Sequence, residues 1–162
     1  MASKSEVPEE LRSLLSEALG DLSPEIQMTA GSVSVKVSPE NLREAAERMR
    51  KAGFDHVKAV TAIDLPEANE IEVVYHISSY TDPRLSRWIV ALRTSVPRDD
   101  PKLPSLYDVW PSVKYQEMEQ WEMLGVEFEG HPGLRRLLLP DTYEGPPPLR
   151  KEYKVKVEGI NA

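Results

Sequence analysis

Arg87-Trp88-Ile89-Val90-Ala91-Leu92-Arg93-Thr94 is the stretch on which the fold turns. In an extended chain Trp88, Val90 and Leu92 fall on one face and Ile89 and Ala91 on the other, so a strand here is apolar on both sides. Such a strand belongs at the centre of a sheet or under a helix. It is the last of three strand-like segments, about 56–64, 70–78 and 86–94, separated by Pro66, Asn69 and the turn Thr81-Asp82-Pro83. Together they read as a meander.

Upstream, residues 25–37 alternate, with Val33, Val35 and Val37 set against Ser32, Ser34 and Lys36, and Ala30-Gly31 breaking the run as a hairpin turn. Two helical stripes flank this hairpin. Leu11, Leu14, Leu15, Ala18 and Leu19 recur at helical spacing between Pro8 and Gly20, and Leu42, Ala45, Ala46 and Met49 do so between Ser38-Pro39 and Gly53. The first 96 residues are therefore expected to form an α+β domain, two helices packed on a mainly antiparallel sheet.

Beyond Val96 the character changes. Pro97, Pro101, Pro104 and Pro111 allow only short helical pieces such as Ser105–Val109, and residues 112–124 then suit a further short helix. Residues 97–124 thus read as a connector and helix. Residues 125–162 read as a long extended tail carrying Pro132, Pro140, Pro146, Pro147 and Pro148. A tail of that length without its own periodic core is either disordered or laid on another surface. Leu134-Arg135-Arg136-Leu137-Leu138-Leu139 is too apolar for a solvated tail, so a partner surface is the expected source of its order.

Composition narrows the function. The 162 residues carry a net charge of −7, with 14 Lys/Arg against 23 Asp/Glu in residues 1–129 and 6 against 4 in residues 130–162. An acidic body with a mildly basic tail is no phosphate-backbone binder, and nucleic acid is not expected as a partner. With no cysteine there is no disulfide, no thiolate nucleophile and no cysteine ligand for an iron–sulfur cluster. The longest apolar runs fall far short of the roughly 20 residues that cross a bilayer, and the N-terminus lacks a signal-peptide core. A cytoplasmic chain is expected, touching a membrane only through partners.

The residues with chemical potential have bland readings beside sharp ones. Glu119, Glu122 and His131 could form an acid/base site, but no His-x-x-x-His spacing supports a metal, and ion pairing is the simpler role for the carboxylates. His131 lies between Gly130, which permits an unusual turn, and Pro132, which fixes the next dihedral; a hydrogen-bonding anchor is the ordinary use of such a histidine. Arg135, Arg136, Arg150 and Lys151 have no glycine-rich phosphate loop beside them. Arginine flanked by leucine is typical of an interface, where its stem covers apolar surface and its fork binds carboxylates. The residues alone therefore describe a binding or scaffold module with a docking tail, without catalytic, metal or cofactor residues of its own.

Residues 103–153 add a resemblance. The stretch from Leu103-Pro104-Ser105-Leu106 to Trp110-Pro111 is followed by Glu117-Met118-Glu119 in the place of a Glu-Arg-Glu. The run Gly125-Val126-Glu127-Phe128-Glu129-Gly130-His131-Pro132-Gly133-Leu134-Arg135-Arg136 matches Gly-Ile-x-Phe-x-Gly-His-Pro-x-Leu-Arg-Arg almost throughout. Leu138-Leu139-Pro140-Asp141, Tyr143-Glu144-Gly145 and Leu149-Arg150-Lys151-Glu152-Tyr153 continue the pattern. These motifs resemble the family of the 30-kilodalton subunit of respiratory complex I, an NADH-quinone oxidoreductase; the family includes homologous subunits of membrane-bound hydrogenase and ferredoxin-linked complexes. Met118, Glu122 and the run Gly145-Pro146-Pro147-Pro148-Leu149 depart from its usual residues.

The resemblance implies a non-catalytic subunit in the peripheral arm of an ion-translocating respiratory oxidoreductase, on the cytoplasmic side of the membrane. It would pack against the large catalytic subunit of complex I or nickel–iron hydrogenase type and adjacent iron–sulfur subunits. Iron–sulfur clusters, with flavin or nickel–iron, would reside in those partners. A hydrogenase or sulfur-reducing complex is the alternative assembly. The partner-binding residues it implies are Glu117, Glu119, Phe128, Gly130, His131 and Pro132, then Leu134, Arg135, Arg136, Leu138 and Pro140, then Glu144, Gly145, Leu149, Arg150 and Lys151.

Overall fold

The computed structural model describes residues 8–29 and 31–155. Ala30 of the expected hairpin turn and the last part of the tail, 156–162, lie outside the described residues. The fold is α+β, built on a five-stranded sheet. Its strands are β1 (Glu25–Thr29), β2 (Ser32–Lys36), β3 (His56–Leu65), β4 (Glu70–Ser78) and β5 (Val90–Pro97). They lie in the order β1-β2-β5-β4-β3.

The apolar stretch does sit at the centre. β5 pairs antiparallel with β4 and parallel with β2, with Leu92 opposite Tyr75 on one side and Val35 on the other. The strand begins later than the sequence pattern suggests. Residues 82–88 coil into a turn, with the amides of Leu85 and Ser86 donating to the Asp82 carbonyl and that of Trp88 to Leu85. Trp88 is buried from within this turn, while Ile89 is exposed.

One face of the sheet makes the core. Ile71, Val73, Tyr75 and Ile77 of β4 alternate inward, and Val33, Val35, Val90 and Leu92 extend the same layer. Two helices complete it: α1 (Glu9–Leu19), which buries Leu11, Leu15 and Leu19, and α2 (Leu42–Lys51), which buries Leu42, Ala45, Ala46 and Met49. Arg48 of α2 bonds Asp21 and Glu44 and pins the two helices together at their margin.

The proline-punctuated segment joins this core as well. Leu103, Leu106, Val109, Trp110 and Val113 belong to the one buried cluster, as do Val126 and Phe128. The Trp110 indole N–H donates to the Phe54 carbonyl at 2.9 Å, fixing the segment to the end of α2. Short strands β6 (Lys102–Pro104) and β7 (Glu127–Glu129) pair in parallel, so the core runs across the divisions at 96/97 and 124/125.

The last helix, α3 (Lys114–Leu124), lies along the edge strand β3. Gln116 and Gln120, one turn apart, face that edge. Their side-chain oxygens accept from the Val60 and Ala62 amides at 2.7 and 3.0 Å, and the Gln120 amide donates to the Val60 carbonyl at 3.1 Å. Glutamine side chains thus take the place of a neighbouring strand and close an otherwise open edge.

Candidate functional site

The tail is anchored on α3, and both ends of the helix take part. At the start of the helix, His131 follows the positive-φ Gly130. Its Nδ1 accepts from the Gly133 amide at 3.1 Å, which leaves Nε2 to carry the proton and donate to the Lys114 carbonyl at 2.9 Å. This is the anchoring role expected of a histidine in a rigid turn.

In the first turn of the helix, Glu117 faces into the core. Its carboxylate accepts from Ser105 Oγ at 2.5 Å, from the Leu106 amide at 2.9 Å and from the Tyr75 hydroxyl at 3.0 Å. A single buried group therefore ties α3 to β4 and to the 105–106 turn. Burial pushes its pKa up, against the pull of those three donors. Glu117 and Phe128 are 0% and 1% exposed. Both were expected at a partner interface, and both are internal to this chain, where Glu117 bonds the core and Phe128 fills it.

At the end of the helix Glu122 is also buried, and its partners are the tail. The amides of Leu137, Leu138 and Leu139 donate to its two oxygens at 3.1, 2.8 and 2.7 Å. Gly125 then ends the helix with φ +76°, and a Cβ there would stand 3.1 Å from Pro147 Cγ. The tail crosses that spot because no side chain blocks it.

The return segment closes the clasp. The Leu149 amide donates to the Met123 carbonyl at 2.9 Å, and Arg150 donates through Nε to the Leu124 carbonyl at 2.6 Å and through Nη1 to the Arg98 carbonyl at 3.2 Å. The Lys151 amide donates to Asp64 Oδ2 at 2.7 Å. Asp64, buried in β3, also receives Arg98 through two bonds of 2.6 and 2.9 Å, and Arg98 reaches on to Glu152. The Arg98 guanidinium holds the Asp64 carboxyl below the usual aspartate range.

The expected partner surface is not what orders the described tail. Its hydrogen bonds to Lys114, Glu122, Met123, Leu124, Arg98 and Asp64 lay it on the chain's own α3, β3 and the end of β5, because their carbonyls and buried carboxylates meet the tail's donors. His131 and Arg150 spend ring and guanidinium donors on backbone carbonyls inside the chain, and Arg136 lies half-buried with its guanidinium 5.4 Å from the Tyr143 ring centroid. What faces outward is Pro132, Arg135, Leu137, Leu138, Pro140, Glu144, Gly145, Leu149 and Lys151, while Leu134 is half-buried. Leu138 and Leu149 keep more than half of their surface in water, at 60% and 59%.

No acid/base site is assembled from Glu119, Glu122 and His131. Glu119 is exposed, Glu122 is bound to the tail, and His131 is bonded at Lys114, eight residues or about 12 Å of helix away. Sequence reasoning weighed Glu122 as an acid or an ion-pair partner and passed over Asp64 and Arg98; among the described residues Glu122 bonds backbone amides and makes no ion pair. The partners of Glu122 and Asp64 include backbone amides, which no residue pattern encodes.

Comparisons with known proteins converge on the tail and the sheet together. Residues 35–158 match the model of the family described as respiratory-chain NADH dehydrogenase, 30 Kd subunit. The chain is 36% identical over 146 residues to the C subunit of NADH-quinone oxidoreductase from Moorella thermoacetica, covering 88% of this chain and 95% of that one. It is 36% identical over 119 residues to the C subunit of F(420)H(2) dehydrogenase from Methanosarcina mazei, covering 73% of each. Among solved structures, the trypsin-resistant fragment of Nqo5 superposes with a TM-score of 0.66 at 28% identity, over 76% of this chain and 98% of the fragment. A chain of the membrane-bound sulfane sulfur reductase, an archaeal respiratory membrane complex, shares the fold with a TM-score of 0.77 at 22% identity, over 90% of this chain and 86% of that one.

Proposed function

Since this chain belongs to the respiratory-chain NADH dehydrogenase 30 Kd subunit family, we propose that it serves as a non-catalytic subunit in the peripheral arm of a membrane-associated, ion-translocating respiratory oxidoreductase. Its task is assembly. The α+β domain is a rigid handle, and the tail along α3 is the face by which it holds the large catalytic subunit and adjacent iron–sulfur subunits. Redox centres reside in those partners, and contact with the membrane is through them, on its cytoplasmic side. No helix among the described residues is long and apolar enough to cross a membrane.

The observation that carries this reading is the outer strip of the tail. Leu137, Leu138 and Leu149 are exposed close to Arg135 and Lys151, on a backbone fixed from beneath by hydrogen bonds. Apolar groups held in place yet left in water are the mark of a surface awaiting a partner. The likeness to subunits of an NADH-linked and an F(420)H(2)-linked enzyme, 36% in both cases, supports the shared structural role and singles out no electron donor.

Mass spectrometry of the native assembly tests the proposal. The chain should co-purify in fixed ratio with a large subunit and iron–sulfur subunits, and the chain made alone should carry no redox cofactor. Turnover of an electron donor by the isolated chain would end this reading.

A further inference from the structure

Glu122 breaks two local rules. It sits in the last turn of α3, where the helix carbonyls disfavour an anion, and it is 6% exposed with no cation in bonding reach among the described residues. Only the three successive amides of Leu137, Leu138 and Leu139 satisfy it. Consecutive N–H groups turned onto one anion form a concave nest. A chain segment pinned through its amides in this way keeps Leu137 and Leu138 outside, 43% and 60% exposed.

Towards the start of α3, a groove of about 240 Å³ lies between the helix and residues 132–135 of the tail. Its floor is Tyr115, Met118 and Pro132, and Lys114 and Arg135 stand at its sides. Neither cation has an ion-pair partner among the described residues. Arg135 lines the groove and stands two residues before Leu137, so groove and exposed leucines are served by consecutive stretches of the tail, with Lys114 and Arg135 as the positive charge at the groove.

We infer that Glu122 is a latch that holds residues 135–138 as a preformed hook, and that the hook and its groove receive an apolar surface of the partner subunit bearing a carboxylate that reaches Lys114 and Arg135. This rests on the docking role proposed above and adds its chemistry. A second copy of the chain fits less well, because a two-fold contact through the hook would bring Arg135 against its own equivalent. Holding the hook in shape before contact removes the ordering cost from the binding step.

Hydrogen exchange on the full-length chain alone tests the latch. The amides of Leu137–Leu139 should be protected in the native chain, exchange about tenfold or more faster in Glu122→Gln, and recover in part in Glu122→Asp, with β4 and β5 unchanged as the control for folding. No protection in the native chain, or equal protection in all three, overturns the latch. Binding to the purified large subunit tests the occupant. Leu138→Asp and Arg135→Glu, both exposed sites that leave the fold alone, should each raise Kd about tenfold or more. Unchanged Kd with a responsive latch overturns the hook as the docking surface while leaving the latch standing. Self-association that Leu138→Asp abolishes would assign the hook to a second copy and overturn the occupant.

Discussion

Two buried carboxylates behave in opposite ways, and pH separates them. Glu117 has its folded pKa raised by burial above the ordinary value near 4.5. Its contribution to stability is therefore fully present below that value and is lost as pH rises through the raised one. Relative to Glu117→Gln, the native chain should lose melting temperature between pH 4.5 and neutrality; a constant difference across that range would contradict the buried assignment. Asp64 has its pKa lowered below 3.8 by the Arg98 bond, so its contribution is present above that value and disappears as pH falls through the lowered one. Asp64→Asn should show the mirror behaviour, with the native chain's advantage vanishing only in acid. Tyr75→Phe removes one donor from Glu117 and should cost about 1.5 to 3 kcal/mol in denaturant unfolding, the range for a hydrogen bond to a charged group.

At the scale of elements, the seam between α3 and β3 decides both stability and solubility. Gln120 uses both ends of its amide on β3, accepting from Ala62 and donating to Val60. Gln120→Ala should destabilise by about 1 to 3 kcal/mol, since it strands buried backbone groups, and should promote edge-to-edge association visible by light scattering. Gly125→Ala places a Cβ 3.1 Å from Pro147 Cγ at φ +76°. It should cost about 1 to 2 kcal/mol from backbone strain alone and more by displacing the return segment; a loss no larger than that of the strain would mean that the tail does not cross there. The periodicity of Leu11 to Leu19 and of Leu42 to Met49 sufficed to place α1 and α2, because each has one apolar stripe. The boundary of β5 was not legible, since Trp88 is buried by a turn and looks in sequence like a strand residue. Nor was the parallel pairing of β2 with β5, which joins Val35 to Leu92 across most of the domain. The tail was recognisable from its prolines and leucines, yet its clasp was not, because Glu122 and Asp64 hold backbone amides whose presence no side chain announces.

Over the whole molecule, a division of labour follows from where the hydrophobic groups went. The α+β domain supplies most of the buried cluster, while the tail beyond Phe128 is fixed by hydrogen bonds and leaves Leu137, Leu138 and Leu149 outside. Arg135 belongs to that outer set and makes no ion pair within the described residues. Its removal should therefore leave the melting temperature of the isolated chain nearly unchanged yet weaken the assembly by about 2 kcal/mol or more, as anchoring arginines at interfaces do. The most direct measurement is a paired one on Arg135→Ala, thermal unfolding of the chain alone and titration of the same chain against the large subunit. The account predicts equal melting and binding weakened by about 30-fold. Binding as tight as that of the native chain, or a melting loss that accounts for all the weakening, would contradict it.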